Sequence, residues 1–541
     1  MQRLLRGSTW IALALALLLA ACSDSTPANG SDGGDASIGD GPSADTSAPD
    51  DVVSTKLGPV RGSVAGGARA FLGIPFAAPP VGALRFMPPA PAEAWTDVRD
   101  ATKHGASCPQ PDLGGTFATP GPYKEDCLTL AVYAPDPAPK NAPVMVWLYG
   151  GAFIAGGAGT PWYDGRRLAR EAGVIVVAIN YRLGPLGFLA HPALPDGGQN
   201  VALLDQVAGL RWVKDNIGAF GGDPENVTLF GESAGGISVC MHLVSSKSKG
   251  LFQRAIIESG NCQLLVQTRA DAEKQGLDVI DKAGCSTASD PIACLRGKDA
   301  LAVTTAVQLP TGLFVGEGAL WGPFIDGTTL TEHPHDALLA GRIENKVPLI
   351  IGTTENEGSL FLLLGMQTDI SASDYDKFVT DLAPTFGADP TKVLAQYPAG
   401  SNPPDTLARL ITEAMFACPA RRVARATSAA GLPTYLYRFT HAPSFFSFSP
   451  LLRAPHGSEI FFVFGTHPLG LKLQGDEATL ATAVQGYWTR FAASGDPNGA
   501  GAPTWPTYSQ SAEKHLELAA TIKAGGPLLT SVCDFWDTLT P

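Results

Sequence analysis

Positive charge is in short supply in this 541-residue chain, where 38 Lys and Arg stand against 51 Asp and Glu for a formal net charge of −13. Nothing polybasic is present. That argues against nucleic acid as a partner and against attraction to anionic lipid headgroups through a basic segment. Also missing is a run able to cross a bilayer: the apolar stretch near the amino terminus, Trp10 to Leu19, falls well short of the roughly 20 residues a spanning helix needs. No internal repeat and no second linker appear beyond residue 53, so residues 53–541 read as one large domain rather than two. Histidine is sparse at nine.

What is present begins with Arg3, Arg6 and that short apolar run, followed by Leu19-Ala20-Ala21-Cys22. This resembles a bacterial lipoprotein signal with its lipobox. The resemblance implies a signal over residues 1–21, cleavage before Cys22 and lipidation of its sulfur. The protein is then exported and anchored to a cell-envelope membrane, or, if cut as an ordinary secretory signal, periplasmic or secreted. Residues 22–52 carry seven Asp, no Lys or Arg and almost no large apolar side chain, a composition that cannot offset ordering entropy and reads as a flexible tether. The membrane is expected to meet the protein only through the lipid anchor.

Leaving Cys22 aside, eight cysteines remain, an even number in a chain expected outside the cytoplasm, where disulfides persist. Cys108 with Cys127 and Cys285 with Cys294 are close enough to close short loops. Parity does not connect the others, Cys240, Cys262, Cys418 and Cys533, and Cys240 also fits a buried thiol on a helix.

Short apolar runs read as buried strands: Val144 to Leu148, Val174 to Ile179, Val227 to Phe230, Ala255 to Ile257, Val347 to Ile351 and Tyr435 to Phe439. Helical patterns alternate with them, the clearest from Asp205 to Phe220 with Val207, Leu210, Val213, Ile217 and Phe220 on one stripe and Gly221-Gly222 ending it. The alternation predicts an α/β fold, a mostly parallel sheet with helices on both faces and function at the carboxyl ends of strands.

One such end reads Leu229-Phe230-Gly231-Glu232-Ser233-Ala234-Gly235-Gly236. A serine within Gly-x-Ser-x-Gly between strand and helix is the sequence form of a nucleophile elbow, because the sharp turn leaves no room for side chains two residues either side of the serine. The alternative is a turn with a capping serine, so the reading needs a base, an acid and an oxyanion hole. Among the histidines, His191, His333, His335, His441 and His467 adjoin proline or alanine-proline, and His104, His242 and His515 have unremarkable surroundings. His333-Pro334-His335-Asp336 superficially suggests a metal site but has no matched third ligand. His456 follows all the strands in a glycine-flanked loop, which suits the last member of a Ser, acid, His order. The acid is sought after Val347 to Ile351, where Glu355 and Glu357 compete and periodicity does not separate them. For the oxyanion hole, Tyr149-Gly150-Gly151-Ala152-Phe153 brings small residues to a strand end. No Lys-Ser/Thr follows, so a phosphate-binding loop is a poor reading.

Phe71-Leu72-Gly73-Ile74-Pro75-Phe76-Ala77 with Pro79-Pro80-Val81-Gly82, Glu125-Asp126-Cys127-Leu128, Asn180-Tyr181-Arg182-Leu183 and Phe220-Gly221-Gly222-Asp223-Pro224 together resemble the blocks of the type-B carboxylesterases. These form the cholinesterase-like branch of the α/β-hydrolases, and the likeness covers nearly the whole chain after the tether. The resemblance implies an α/β-hydrolase fold and a serine hydrolase cleaving small carboxylic esters with no cofactor or metal. The family's Asp-Glu-Gly motif falls on Asn356-Glu357-Gly358, which selects Glu357 as the acid. Its His-Gly-x-Glu block falls on His456-Gly457-Ser458-Glu459. Oxyanion donors correspond to Gly151, Ala152 and Ala234, and the implied bridges are Cys108–Cys127, Cys285–Cys294 and Cys418–Cys533, with Cys240 and Cys262 as a fourth pair in prospect. Two departures stand out: Ala152 replaces a glycine, tolerable only if its φ stays negative, and Asn356 replaces an aspartate. The same machinery also serves amides, thioesters and lactones. Cholinesterase-like domains occur as adhesion modules too, but those usually show a damaged triad. Trp321, Phe324, Phe361, Phe445, Phe446 and Phe448 are candidates for an apolar pocket or for core packing.

Overall fold

The computed structural model describes residues 51–111, 119–306, 320–365 and 368–539. Cys22 and nearly all of the acidic tether lie outside these residues. Val52, the last residue assigned to the tether, already pairs with Arg61. Strands β1 (Val52–Ser54), β2 (Pro59–Arg61) and β5 (Arg99–Asp100) form a small sheet.

The main sheet has eleven strands, in chain order β3 (Ser63–Ala65), β4 (Ala68–Pro75), β6 (Thr129–Pro135), β7 (Ala142–Leu148), β8 (Ile175–Ile179), β9 (Gly222–Glu232), β10 (Arg254–Glu258), β11 (Leu349–Thr354), β12 (Thr434–Phe439), β13 (His515–Leu518) and β14 (Lys523–Gly525). Their spatial order is β14-β13-β12-β11-β10-β9-β7-β8-β6-β4-β3. From β8 to β13 every pairing is parallel, and the flanking pairs are antiparallel. All six runs expected as strands fall in the parallel part. Helices cover the sheet, so its central strands are buried on both faces and read as unbroken apolar runs rather than alternating ones. Trp147 on β7 shows the result: its ring packs against Tyr163, Phe230 and Phe464 at centroid distances of 5.1, 4.8 and 5.0 Å.

The expected helix from Asp205 begins earlier, as Val201–Asn216, and tightens into a 3₁₀ turn over Ile217–Phe220. The anticipated stripe from Val207 to Phe220 is buried throughout. Gly221 ends it in the left-handed region at φ 94°. Asp205 on this helix is buried against Arg182 of the Asn-Tyr-Arg-Leu block, with guanidinium bonds of 2.8 and 2.7 Å to its two carboxylate oxygens. The fork matches both lone-pair directions at once and fixes the loop after β8 to the helix.

All eight cysteines pair: Cys108–Cys127, Cys240–Cys262, Cys285–Cys294 and Cys418–Cys533. Cys240 is therefore not a free thiol. It lies on the helix Ala234–Val244, and Cys262 follows the end of β10. Among the described residues no helix is long and apolar enough to cross a membrane.

Candidate active site

Strand β9 ends at Glu232, and the chain turns at Ser233 with φ 55° and ψ −122° before the helix Ala234–Val244 starts. The reason for the flanking glycines is steric. A Cβ on Gly235 would lie 1.9 Å from the Leu148 carbonyl oxygen, and one on Gly231 would lie 2.6 Å from the Gly235 carbonyl carbon. The turn is clamped by the Ser233 N–H donating to Glu258 O on β10 at 2.9 Å. Strain of this kind at a non-glycine residue persists only where surroundings over-determine it.

Glu357 is the first residue of the helix Glu357–Leu364, three positions beyond the end of β11, and is fully buried. Its Oε2 lies 2.6 Å from His456 Nδ1, while Oε1 accepts hydrogen bonds from Thr354 N–H and Ser259 Oγ, both at 2.7 Å. Glu355 turns the other way, to Arg438 at 3.5 Å. Glu355 lies before the helix and Glu357 opens it, and the two glutamates face different partners. Asn356 is not a passive replacement for aspartate. Its N–H donates to Ala454 O at 2.9 Å and its amide to Leu451 O at 2.7 Å, tying the segment that carries Glu357 to the loop that carries His456. A carboxylate there would have no N–H to offer Leu451.

His456 Nε2 faces Glu232 Oε1 at 3.1 Å, and no hydrogen bond joins it to Ser233 Oγ in this structure. Such contacts are commonly loose without substrate and tighten in the reacting complex. The imidazole packs against the edge of a pair of stacked rings, Phe361 at 4.8 Å and Phe416 at 5.0 Å, which lie 5.7 Å from each other. Phe416 comes from a single π-helical turn, Glu413–Ala417, between two α-helices. Of the six aromatics singled out in the sequence, only Phe361 packs against this histidine. Phe324 is buried elsewhere beside Ala190 and Ala272, Trp321 is core, Phe445 and Phe446 pack on Phe461, and Phe448 is exposed.

Around the histidine lies a group of buried carboxyls that sequence reading did not assign: Glu232, Glu258 and Glu459, beside Glu357. Ser259 Oγ bridges two of them, reaching Glu357 Oε1 and, at 3.0 Å, Glu459 Oε1, which also accepts from the Tyr437 hydroxyl at 3.2 Å. Glu258 accepts from the Trp488 indole at 2.7 Å. Glu232 and Glu459 stand inside quoted motifs, beside Ser233 and three residues past His456, so the signal was present but attached to no role. Burial, then the neighbouring carboxylates, raises Glu232 and Glu258 well above the usual range and pushes Glu459 up to about 8. A carboxyl that keeps its proton to about pH 8 when folded, against a usual 4.5, adds stability that is complete below 4.5 and lost as pH rises to about 8. Glu459→Gln removes that titration, so its urea midpoint is expected to fall less steeply between about pH 5 and 8 than the parent's. Parallel pH profiles for the two proteins would contradict this.

The Gly150-Gly151-Ala152 loop presses against the serine: a Cβ on Gly150 would lie 2.9 Å from Ser233 Cβ and 2.6 Å from Glu232 Oε2. Gly151 has φ 116°, and its carbonyl accepts from the N–H groups of Ile154 and Ala155. The expectation that Ala152 keeps φ negative is not met. It sits at φ 52° and Phe153 at φ 60°. The tight turn after β7 requires the left-handed region, which a single methyl enters at about 1–2 kcal/mol. Among the described residues the N–H groups of Gly151 and Ala152 donate to no protein acceptor. Ala234 opens its helix, where an N–H has no intrahelical partner. Among the described residues no three His, Cys, Asp or Glu side chains are grouped so as to hold a metal ion, and the rings of His333 and His335 stand 6.4 Å apart.

A family model described as the carboxylesterase family matches residues 49–536. The chain is 36% identical over 531 residues to a cholinesterase of Mus musculus, covering 91% of this chain and 87% of that protein. It is 37% identical over 481 residues to a para-nitrobenzyl esterase of Bacillus subtilis, covering 87% and 95% of the two chains. Identity is also 37% over 508 residues to carboxylesterase 1D of Rattus norvegicus, covering 87% and 88%. With the sheet, the strained serine turn and the His–Glu pair, these likenesses settle the class: the chain belongs to the carboxylesterase family and is a serine hydrolase that cleaves carboxylic esters.

Proposed function

We propose that Ser233 is the nucleophile, His456 its general base and Glu357 the acid that orients and stabilises the imidazole. The observation that carries this reading is the buried 2.6 Å contact between His456 Nδ1 and Glu357 Oε2 beside the serine elbow. Ser233 Oγ attacks the ester carbonyl carbon as His456 Nε2 takes its proton, and the Nδ1–H of the resulting imidazolium stays on the Glu357 carboxylate. The N–H groups of Gly151, Ala152 and Ala234 receive the oxyanion; one such donor is worth on the order of 3 kcal/mol in comparable sites. His456 returns its proton to the leaving alcohol, and water then repeats the sequence to release the acid. Phe361 and Phe416 give the site apolar walls beside the base, which favours esters with an apolar acyl or alcohol group.

Ser233→Ala is expected to lower kcat for p-nitrophenyl butyrate by about five to six orders of magnitude with the fold unchanged by circular dichroism. A diethyl phosphoryl group delivered by an organophosphate is expected on the peptide containing Ser233 and nowhere else. Undiminished hydrolysis by the variant would reject the assignment. We also propose that Cys22 is lipidated after signal cleavage and that residues 22–50 tether the domain to an envelope membrane, as the lipobox-like Leu19-Ala20-Ala21-Cys22 supports. Loss of the protein from the membrane fraction on Cys22→Ala tests it.

A further inference from the structure

A groove of about 670 Å³ runs along the helix Val201–Asn216, and none of its lining residues belongs to the site above. Its floor is one stripe of that helix, with Leu204, Val207, Ala208, Arg211, Trp212 and Asp215 at the three- and four-residue spacing that stacks side chains on one face. From Leu204 to Asp215 the stripe is about 16 Å long. The opposite wall is formed by Phe76 and the proline-rich segment 88–92, which is stiff and apolar. The volume lies within the range of small-molecule sites.

Two observations define what the groove accepts. Arg211 is exposed and makes no ion pair or hydrogen bond among the described residues, and the same holds for the Lys247 ammonium. The only acid in the lining, Asp215, is already held by Lys56 at 2.6 Å. The groove therefore carries two uncompensated cations in a protein whose net charge is −13. We propose that this groove binds a single-chain anionic amphiphile: the alkyl chain lies along Leu204, Val207 and Ala208 against the proline wall, and the head group pairs with Arg211 and Lys247.

Calorimetric titration of the full chain with decanoate tests this. The expected result is one binding event that persists after Ser233 has been phosphorylated, is weakened about tenfold or more by Arg211→Glu and is abolished by Ala208→Trp, which fills the floor. Decanol and acetate, each lacking one half of the ligand, are expected to bind at least about tenfold more weakly than decanoate. Neither substitution touches the ester site, so hydrolysis of p-nitrophenyl butyrate is expected to stay within about twofold of the parent, which also shows that both variants fold. Absence of decanoate binding, binding unchanged in both variants, or binding lost on phosphorylation overturns the proposal. Failure of the organophosphate to label the protein bears on the Ser233 assignment alone, and the two groove variants then decide this one.

Discussion

Glu357→Gln is expected to lower kcat by about 10⁴-fold while leaving KM and the fold nearly unchanged. The argument rests on the two oxygens of this carboxylate having different neighbours. Oε1 takes hydrogen bonds from Thr354 N–H and Ser259 Oγ, while Oε2 meets His456 Nδ1. A glutamine must turn its only oxygen toward the two donors, because an NH₂ group there would leave the Thr354 N–H facing another donor. The amide NH₂ then points at Nδ1 and forces that nitrogen to accept. The ring is left with its proton on Nε2, the atom that receives the serine proton in the proposed mechanism. Glu355→Gln is the control: Glu355 is partly exposed and its Arg438 contact is 3.5 Å long, so an effect below about twofold is expected. Steady-state kinetics on p-nitrophenyl butyrate, with both variants at one pH, decide between them. A larger loss at Glu355 than at Glu357 would reverse the choice of acid.

How visible this arrangement is in the sequence depends on the range of the forces involved. The parallel strands β7 to β12 are legible because burial on both faces gives each a continuous apolar run, and β7 and β8 are the clearest instances. The flanking strands β3, β13 and β14 are short, and β3 and β14 are largely exposed, so their pattern is lost among loops. Gly231 and Gly235 are legible because one close backbone approach excludes a Cβ at each. Ala152 was misread for the complementary reason: composition does not reveal that the turn after β7 needs positive φ. Glutamates 232, 258 and 459 are ordinary residues locally and become a buried carboxyl cluster only when β9, β10 and the segment after His456 converge. Phe416 was missed because a π turn breaks the 3.6-residue period on which helix reading relies, and its contact with His456 spans 40 residues of sequence.

Removing the Cys418–Cys533 bridge as the Cys418→Ala, Cys533→Ala pair is expected to cost about 4–5 kcal/mol of stability and little activity. Its cysteines are 115 residues apart, so in the unfolded chain the bridge closes a far longer loop than Cys285–Cys294, separated by 9, whose removal is expected to cost about 2.5 kcal/mol. The folded state has other ties at the same place. Arg421, buried at the helix Cys418–Ala429, bonds Asp534 at 2.7 Å, and Arg422 bonds Asp537 at 2.6 Å, both on the terminal helix Thr530–Leu539. Trp536 on that helix donates to the Tyr397 hydroxyl at 2.8 Å. These contacts keep the terminal helix docked without the bridge, so Phe416, two residues before Cys418, stays against His456. Alanine is chosen because a serine at either fully buried position would add an unpaired hydroxyl. Urea unfolding gives the stability change, and kcat measured well below the midpoint gives the second readout. A fall in kcat of about tenfold or more in the folded variant would mean that the bridge positions Phe416 directly, and that its effect is not confined to the unfolded chain.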